Sequence, residues 1–225
     1  MRNTGGRHEL KHYINQGDLI ELRTRLPCVF KRDENTDTDG GYRVRSLYFD
    51  NYNDKVLREK IDGIDDREKF RIRFYKDNPD FIRLEKKSKK GGLCFKESEP
   101  ISYTVCEGLL RGNYNLLKAT GTPLHLELYS KMHYQYLRPK NIVDYQRNAF
   151  IFQAGNVRVT LDYDIRSSDN VTDFLRHVYV TLPIPEMYIL EVKYDNFLPE
   201  IVRGITTLSR RQATAFSKYA ATRII

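Results

Sequence analysis

Phe70-Arg71-Ile72-Arg73-Phe74 and Ile82-Arg83-Leu84-Glu85-Lys86-Lys87 carry the architecture of this chain. Side chains two apart on a strand point to the same side of a sheet. Arg71 and Arg73 therefore share one face, and Phe70, Ile72 and Phe74 the other; Arg83, Glu85 and Lys87 repeat the charged set. Val157-Arg158-Val159-Thr160-Leu161-Asp162-Tyr163-Asp164 separates Arg158, Thr160, Asp162 and Asp164 from its apolar residues, and Leu190-Glu191-Val192-Lys193 pairs Glu191 with Lys193. Ordinary half-solvated sheets alternate too, but their wet faces carry Thr, Ser, Lys and Gln. Here the polar faces carry guanidinium groups and carboxylates.

A sheet that closes with this charged parity inward needs helices over its apolar exterior. Its lumen would hold more Arg and Lys than carboxylates can neutralise, and so would bind a multiply charged anion. A linear chain of phosphates suits fork-shaped donors on every wall. The expected fold is α+β: a closed antiparallel β-barrel of about eight strands, forming a basic tunnel flanked by helices, in one domain over residues 1–225.

The same alternation predicts strands at 8–14, 42–50, 68–75, 81–87, 93–97, 142–152, 157–165 and 187–194. Asp77-Asn78-Pro79-Asp80 and Lys89-Lys90-Gly91-Gly92 read as turns, and Asn51-Tyr52-Asn53-Asp54 as a loop. Helical spacing marks 18–26, 102–110 and 123–137, with Pro27 closing the first and Ser102 as an N-cap of the second. The tail from 199 to 225 reads as two short helices around Ser209-Arg210-Arg211. No repeat or Pro-rich linker marks a second domain.

Apolar residues make up 40% of the 225, enough for a core, so disorder is excluded. The net charge of +8 attracts anions without choosing among them. Cys28, Cys94 and Cys106 have no metal-ligand spacing, and the expected compartment is cytoplasmic. No apolar stretch is long enough to span a bilayer, so membrane association would come through a membrane-protein partner.

A carboxylate inside a basic lumen has to hold a metal or orient cations. Glu191 is the favoured ligand for Mg²⁺ or Mn²⁺, which take oxygen donors and bridge phosphates; the alternative is a salt bridge to Lys193 or an arginine. Glu85 is expected to orient its neighbours. His8 and His12 would converge on zinc only from a helix, and their segment reads as a strand, so no zinc site is expected.

Glu9-Leu10-Lys11, Ser46-Leu47-Tyr48-Phe49-Asp50-Asn51, Arg71-Ile72-Arg73, Leu84-Glu85-Lys86-Lys87 with Lys96, Tyr145-Gln146-Arg147-Asn148-Ala149-Phe150, Val157 to Asp162, Leu190-Glu191-Val192-Lys193 and Phe216-Ser217-Lys218-Tyr219 occur in this order. In that combination the chain resembles the catalytic domain of the vacuolar transporter chaperone (VTC) family, polyphosphate polymerases of the triphosphate tunnel metalloenzyme, or CYTH-like, superfamily. The resemblance implies an antiparallel tunnel lined by basic residues that transfers the γ-phosphoryl group of ATP to a growing polyphosphate with Mn²⁺ or Mg²⁺. It implies that Lys11, Arg71, Arg73, Lys87, Lys96, Arg147, Arg158 and Lys218 grip phosphates, that Glu191 binds the metal beside Lys193, and that Tyr145 packs near the nucleotide. Arg83, Arg138 and Arg166 have no fixed counterpart. Hydrolytic members open with Glu-x-Glu-x-Lys, whereas Arg7 stands two residues before Glu9 here, which favours the polymerase branch.

Phosphoryl transfer needs positioning and charge neutralisation more than a protein nucleophile. The expected partners are ATP and inorganic polyphosphate. Nucleic acid is not expected, because the basic residues alternate along strands rather than forming an exposed run. A metal-dependent triphosphatase and a noncatalytic polyphosphate-binding domain are the alternatives.

Overall fold

The computed structural model describes residues 6–37, 40–208 and 216–224. Its strands are β1 (His8–Ile14), β2 (Lys31–Arg32), β3 (Tyr42–Asp50), β4 (Arg67–Tyr75), β5 (Asn78–Lys90), β6 (Leu93–Pro100), β7 (Arg138–Phe152), β8 (Val157–Ser168), β9 (Leu182–Pro183) and β10 (Tyr188–Tyr194). Its helices are α1 (Gln16–Arg25), α2 (Lys55–Ile61), α3 (Tyr103–Leu110), α4 (Asn115–Thr120), α5 (Pro123–Tyr134), α6 (Glu200–Thr206) and α7 (Lys218–Ile224). All eight expected strands are present. Residues 209–211 of the expected tail lie outside the described residues.

The main sheet runs β1-β10-β8-β7-β3-β4-β5-β6, with β2 on β7 and β9 on β8, and its ladders are antiparallel. The barrel is open, not closed as the parity argument expects. Among the described residues its two edges meet at one bridge, from Arg7 just before β1 to Cys94 on β6, with N–O distances of 3.1 and 3.3 Å. A backbone ladder requires strands about 4.8 Å apart. Long side chains span the opening instead: Lys87 Nζ on β5 reaches Glu9 on β1 at 3.1 Å. The result is a half-barrel.

The convex face is largely apolar and covered by helices, with the Arg45–Asp144 pair, at 3.1 Å, buried within it. Phe70, Ile72, Phe74, Ile82 and Leu84 pack on Leu109, Leu117, Leu124, Leu128 and Met132 of α3, α4 and α5. Val159, Leu161, Leu190 and Val192 pack on Leu19 and Leu22 of α1 and Val202 of α6. Each such side chain contributes about 1.5–3 kcal/mol on burial. Asn15 and Asp18 form a reciprocal capping box at the start of α1, at 2.8 and 2.9 Å.

Part of the concave side is apolar as well. Tyr48, Val143, Tyr145 and Ile189 cluster there with Phe216 and Tyr219, so the C-terminal segment plugs one side of the half-barrel. Asn141 Nδ2 donates to Thr222 Oγ1 at 2.9 Å, tying α7 to β7.

Two local features depart from the expected pattern. The turn at 51–54 leads into α2, whose first amides donate to side chains ahead of it: Val56 and Leu57 to Asp50 at 2.9 and 3.1 Å, and Lys55 to Asn51 at 3.1 Å. A bulge in β8 shifts its register against β7, with Asp164 at φ 47°. Asp164 is consequently exposed rather than lumenal.

Candidate active site

The strand registers stack the charged residues in layers. Arg71 lies between Tyr48 on β3 and Glu85 on β5; Lys69 opposes Lys87, which opposes Lys96 on β6. Arg147 on β7 opposes Asp162 on β8, and Glu191 on β10 opposes Lys11 on β1. Like charges directly opposite one another are destabilising, so each basic layer needs counter-charge.

Four carboxylates supply it from inside. Glu85 Oε2 accepts Arg71 Nε at 2.7 Å and pairs with its Nη2 at 2.6 Å, while Lys96 holds Oε1 at 2.5 Å. Asp162 accepts both ends of the Arg147 fork at 2.6 and 2.7 Å and contacts Lys218 Nζ. Glu9 collects Lys11 at 2.8 Å, Lys87 at 3.1 Å and Lys193 at 3.4 Å, and Lys193 also reaches Glu191 at 2.5 Å. Arg73 donates to Ser46 at 2.8 Å and to Tyr145 at 3.0 Å.

These pairings set the protonation states. Burial and the Glu191 charge push the Glu9 carboxyl up, but Lys87, Lys11 and Lys193 outweigh them and hold it at about 2. Against their own burial, Glu191 is held far down by Lys193, Lys11 and Lys87, and Glu85 by Arg71, Arg73 and Lys96. Lys69 is the exception among the cations. Its ammonium touches Ser217 Oγ at 3.2 Å and lies 5.6 Å from the Tyr48 ring centre. Among the described residues no carboxylate lies within ion-pair distance of it. Burial, with Lys87, Lys11 and Arg71 nearby, brings it down to about 7. The Tyr48 phenol is likewise at about 7, because Arg71, Lys69 and Arg73 overcome its burial.

The space among these groups is small. A cavity of about 50 Å³ lies between Arg71, Arg73, Arg147, Glu191, Lys193 and Lys218, room for a few waters. The internal ion pairs themselves fill the lumen. A larger hollow of about 390 Å³ adjoins it, sharing Lys11, Lys69, Lys87, Phe216 and Ser217.

Of the sequence-predicted residues, Lys11, Arg71, Arg73, Lys87, Tyr145, Arg147, Glu191, Lys193 and Lys218 line the central cavity. Lys96 approaches from the rim through Glu85. Arg158 shares the lumenal parity, but its guanidinium turns to Asp33 at 2.5 Å and the Tyr42 hydroxyl at 3.1 Å. Arg83 is exposed at the rim and bonds Ser98 at 2.8 Å. Arg138 binds the carbonyls of Met132 and Leu137 at 2.6 and 2.7 Å under Tyr114, and Arg166 binds Thr181 at 2.7 Å beyond the bulge; neither joins the lumen. Tyr145 is 1% exposed, with Arg147 and Lys218 over its ring at 5.2 and 4.7 Å. Sequence reading missed Glu9, Lys69 and Tyr48 as site residues. Glu9 alternates with Lys11 and Lys69 with Arg71, so parity could have found both.

Glu9 and Glu191 project from neighbouring strands, and the same three lysines, Lys11, Lys87 and Lys193, hold both carboxyls down. Among the described residues no three His, Cys, Asp or Glu side chains gather as a metal centre. Two carboxylates fit a hard cation that completes its shell with phosphate oxygens and water, not a closed zinc site.

A helix-covered antiparallel half-barrel with a basic, carboxylate-laced interior places the protein in the class of triphosphate tunnel folds. The chain belongs to the VTC domain family, which matches it over residues 6–224. Its fold is similar to that of a putative adenylate cyclase (bh2851) from Bacillus halodurans, with TM-score 0.52 and 13% identity over 89% of this chain and 86% of that one. PH1819 from Pyrococcus horikoshii OT3 gives TM-score 0.52 and 12% identity over 96% and 98% of the two chains. At these identities the likeness concerns the fold alone. A search of curated proteins finds no match.

Proposed function

We propose that this protein is a polyphosphate polymerase that transfers the γ-phosphoryl group of ATP to a growing inorganic polyphosphate. The observation that carries the reading is the charge balance of the lumen: among the described residues Lys11, Lys69, Arg71, Arg73, Lys87, Lys96, Arg147, Lys193 and Lys218 face only Glu9, Glu85, Asp162 and Glu191. The carboxylates stand in for the anion that these cations are arranged to hold. A phosphate chain takes their place on the lysines, while the arginine forks stay aimed by Ser46, Tyr48 and Tyr145.

In this reading Arg71, Arg73 and Arg147 orient the reacting phosphates in line, and the lysines neutralise charge that develops on the transferred group. Lys218 holds the chain from α7. Tyr145 positions Arg73, Arg147 and Lys218 and does not stack on the base, since its ring is buried beneath them. Glu9 and Glu191 would hold Mg²⁺ or Mn²⁺, which supplies charge neutralisation on the phosphate oxygens when bound. Arg7 stands where hydrolytic relatives have a further glutamate and is turned to Asp195 at 2.7 Å, so β1 offers the lumen one carboxylate. This supports transfer to phosphate over transfer to water.

The test is incubation with ATP and Mn²⁺, with and without a short polyphosphate primer, and separation of the products by length. A growing ladder matched by ADP release is the expected result. Orthophosphate without a ladder would make the protein a triphosphatase, and a bound chain without turnover would make it a binding domain.

A further inference from the structure

The hollow of about 390 Å³ beside the lumen has an outer wall of Lys60 on α2, Arg67 on β4 and Lys89 on β5, and an inner wall of Lys11, Lys69 and Lys87. The inner three belong to the site above; the outer three have no part in it. Lys60 is half-buried, and among the described residues no carboxylate lies within ion-pair distance of it. Burial, then Arg67, Lys11 and Lys89, pushes its ammonium below the ordinary value. Every charged neighbour among those causes is a cation.

The carboxylates that border the hollow are committed elsewhere. Glu9 is held by Lys11, Lys87 and Lys193. Glu68 pairs with Lys131 and with Lys86 at 3.4 Å. Asp65, outside the lining, takes Lys89 at 3.0 Å, which leaves Lys60, Arg67 and Lys69 with no carboxylate partner among the described residues. Gathering like charges in a low-dielectric hollow is unfavourable unless an anion binds among them. The hollow is also continuous with the central cavity through Lys11, Lys69 and Lys87, and it is far larger than that cavity.

We propose that this hollow is a second phosphate-chain subsite, with Lys60 its outermost contact, which grips the part of an inorganic polyphosphate that lies outside the transfer site. The proposal rests on the reading of the lumen as a phosphate-chain site. Its consequence is length-dependent affinity: tripolyphosphate occupies the lumen alone, whereas a longer chain also engages Lys60 and Arg67.

Titration calorimetry at fixed ionic strength, with inorganic tripolyphosphate and with a long-chain polyphosphate, separates the two sites. The wild type is expected to bind the long chain more tightly. Lys60→Ala is expected to weaken long-chain binding roughly five- to ten-fold, the loss of one charge-assisted contact, to leave tripolyphosphate binding unchanged and to unfold no earlier than wild type. Lys60→Arg restores the difference. Unchanged long-chain binding in Lys60→Ala, or an equal loss for both ligands, overturns the second subsite. A wild type that binds the long chain but not tripolyphosphate overturns the lumen reading instead, and a wild type that binds neither overturns both.

Discussion

Arg71 places Nε and Nη2 on a single oxygen of Glu85, at 2.7 and 2.6 Å, and Lys96 holds the other oxygen at 2.5 Å. Arg73 Nη1 stands 4.0 Å away. Glu85 is thus the hub on which three lumen cations are fixed.

Glu85→Ala leaves Arg71 and Arg73 buried without counter-charge. Breaking a buried pair by removing one partner costs about 3–5 kcal/mol, and the exposed Lys96 places the expected loss at the lower end. Tripolyphosphate should return part of it, since a ligand at a hundred times its Kd stabilises by about 2.7 kcal/mol. Urea unfolding with and without tripolyphosphate measures both effects. A variant as stable as wild type would remove Glu85 from the role of hub.

Lys69→Met should stabilise the empty protein and weaken tripolyphosphate binding several-fold. The folded-state value of Lys69, about 7, lies below its ordinary 10.5. Between those values the unfolded chain binds more protons than the folded one, so wild-type stability rises with pH across the window. The substitution flattens that rise and, at pH 7, adds on the order of 1 kcal/mol. Unfolding at pH 7 and pH 9.5 checks the slope; a steeper rise in the variant contradicts it.

The charged parity of Arg71, Arg73, Glu85 and Glu191 was legible in the sequence because a two-residue period is local and needs no partner strand. What escaped was long-range. The β8 bulge exposes Asp164 and carries Arg166 away from the lumen, yet nothing in Asp162-Tyr163-Asp164 differs from a regular strand. Helix α2 hides behind a turn signal, because its caps, Asp50 and Asn51, come before the left-handed Asp54. Barrel closure depends on whether β1 and β6 find a ladder, and the Lys87–Glu9 pair across the opening joins residues 78 positions apart. The plug of Phe216 and Tyr219 depends on tertiary packing that no periodicity encodes.

Acidification should unfold the protein through its lumen. Glu9, held at about 2, and Glu85, Glu191 and Asp162, all depressed by neighbouring cations, contribute stability that is fully present above their unfolded values of 4.5 or 3.8. It is lost as pH falls below those values toward the folded ones, because the unfolded chain takes up protons first. Thermal unfolding between pH 6 and pH 2.5 should fall steeply below about 4.5. Added tripolyphosphate, which keeps its charge where the carboxylates lose theirs, should blunt the fall. An acid profile insensitive to tripolyphosphate would separate acid stability from the lumen.

Glu191→Gln should move binding and turnover in opposite directions. Glu191 sits 2.5 Å from Lys193 and takes part of the charge of Lys11 and Lys87. Neutralising it frees these lysines for phosphate, so tripolyphosphate binding without metal should tighten by a few-fold. The same change removes one of two carboxylates able to hold Mg²⁺ or Mn²⁺, so metal-dependent turnover should fall by at least two orders of magnitude, in line with other lost electrostatic contacts to a transition state. A purely structural role would move both readouts down together, because a displaced lumen neither binds nor reacts well. Tighter binding with unchanged turnover would leave Glu9 as the carboxylate that holds the ion, and Glu9→Gln would then carry the loss.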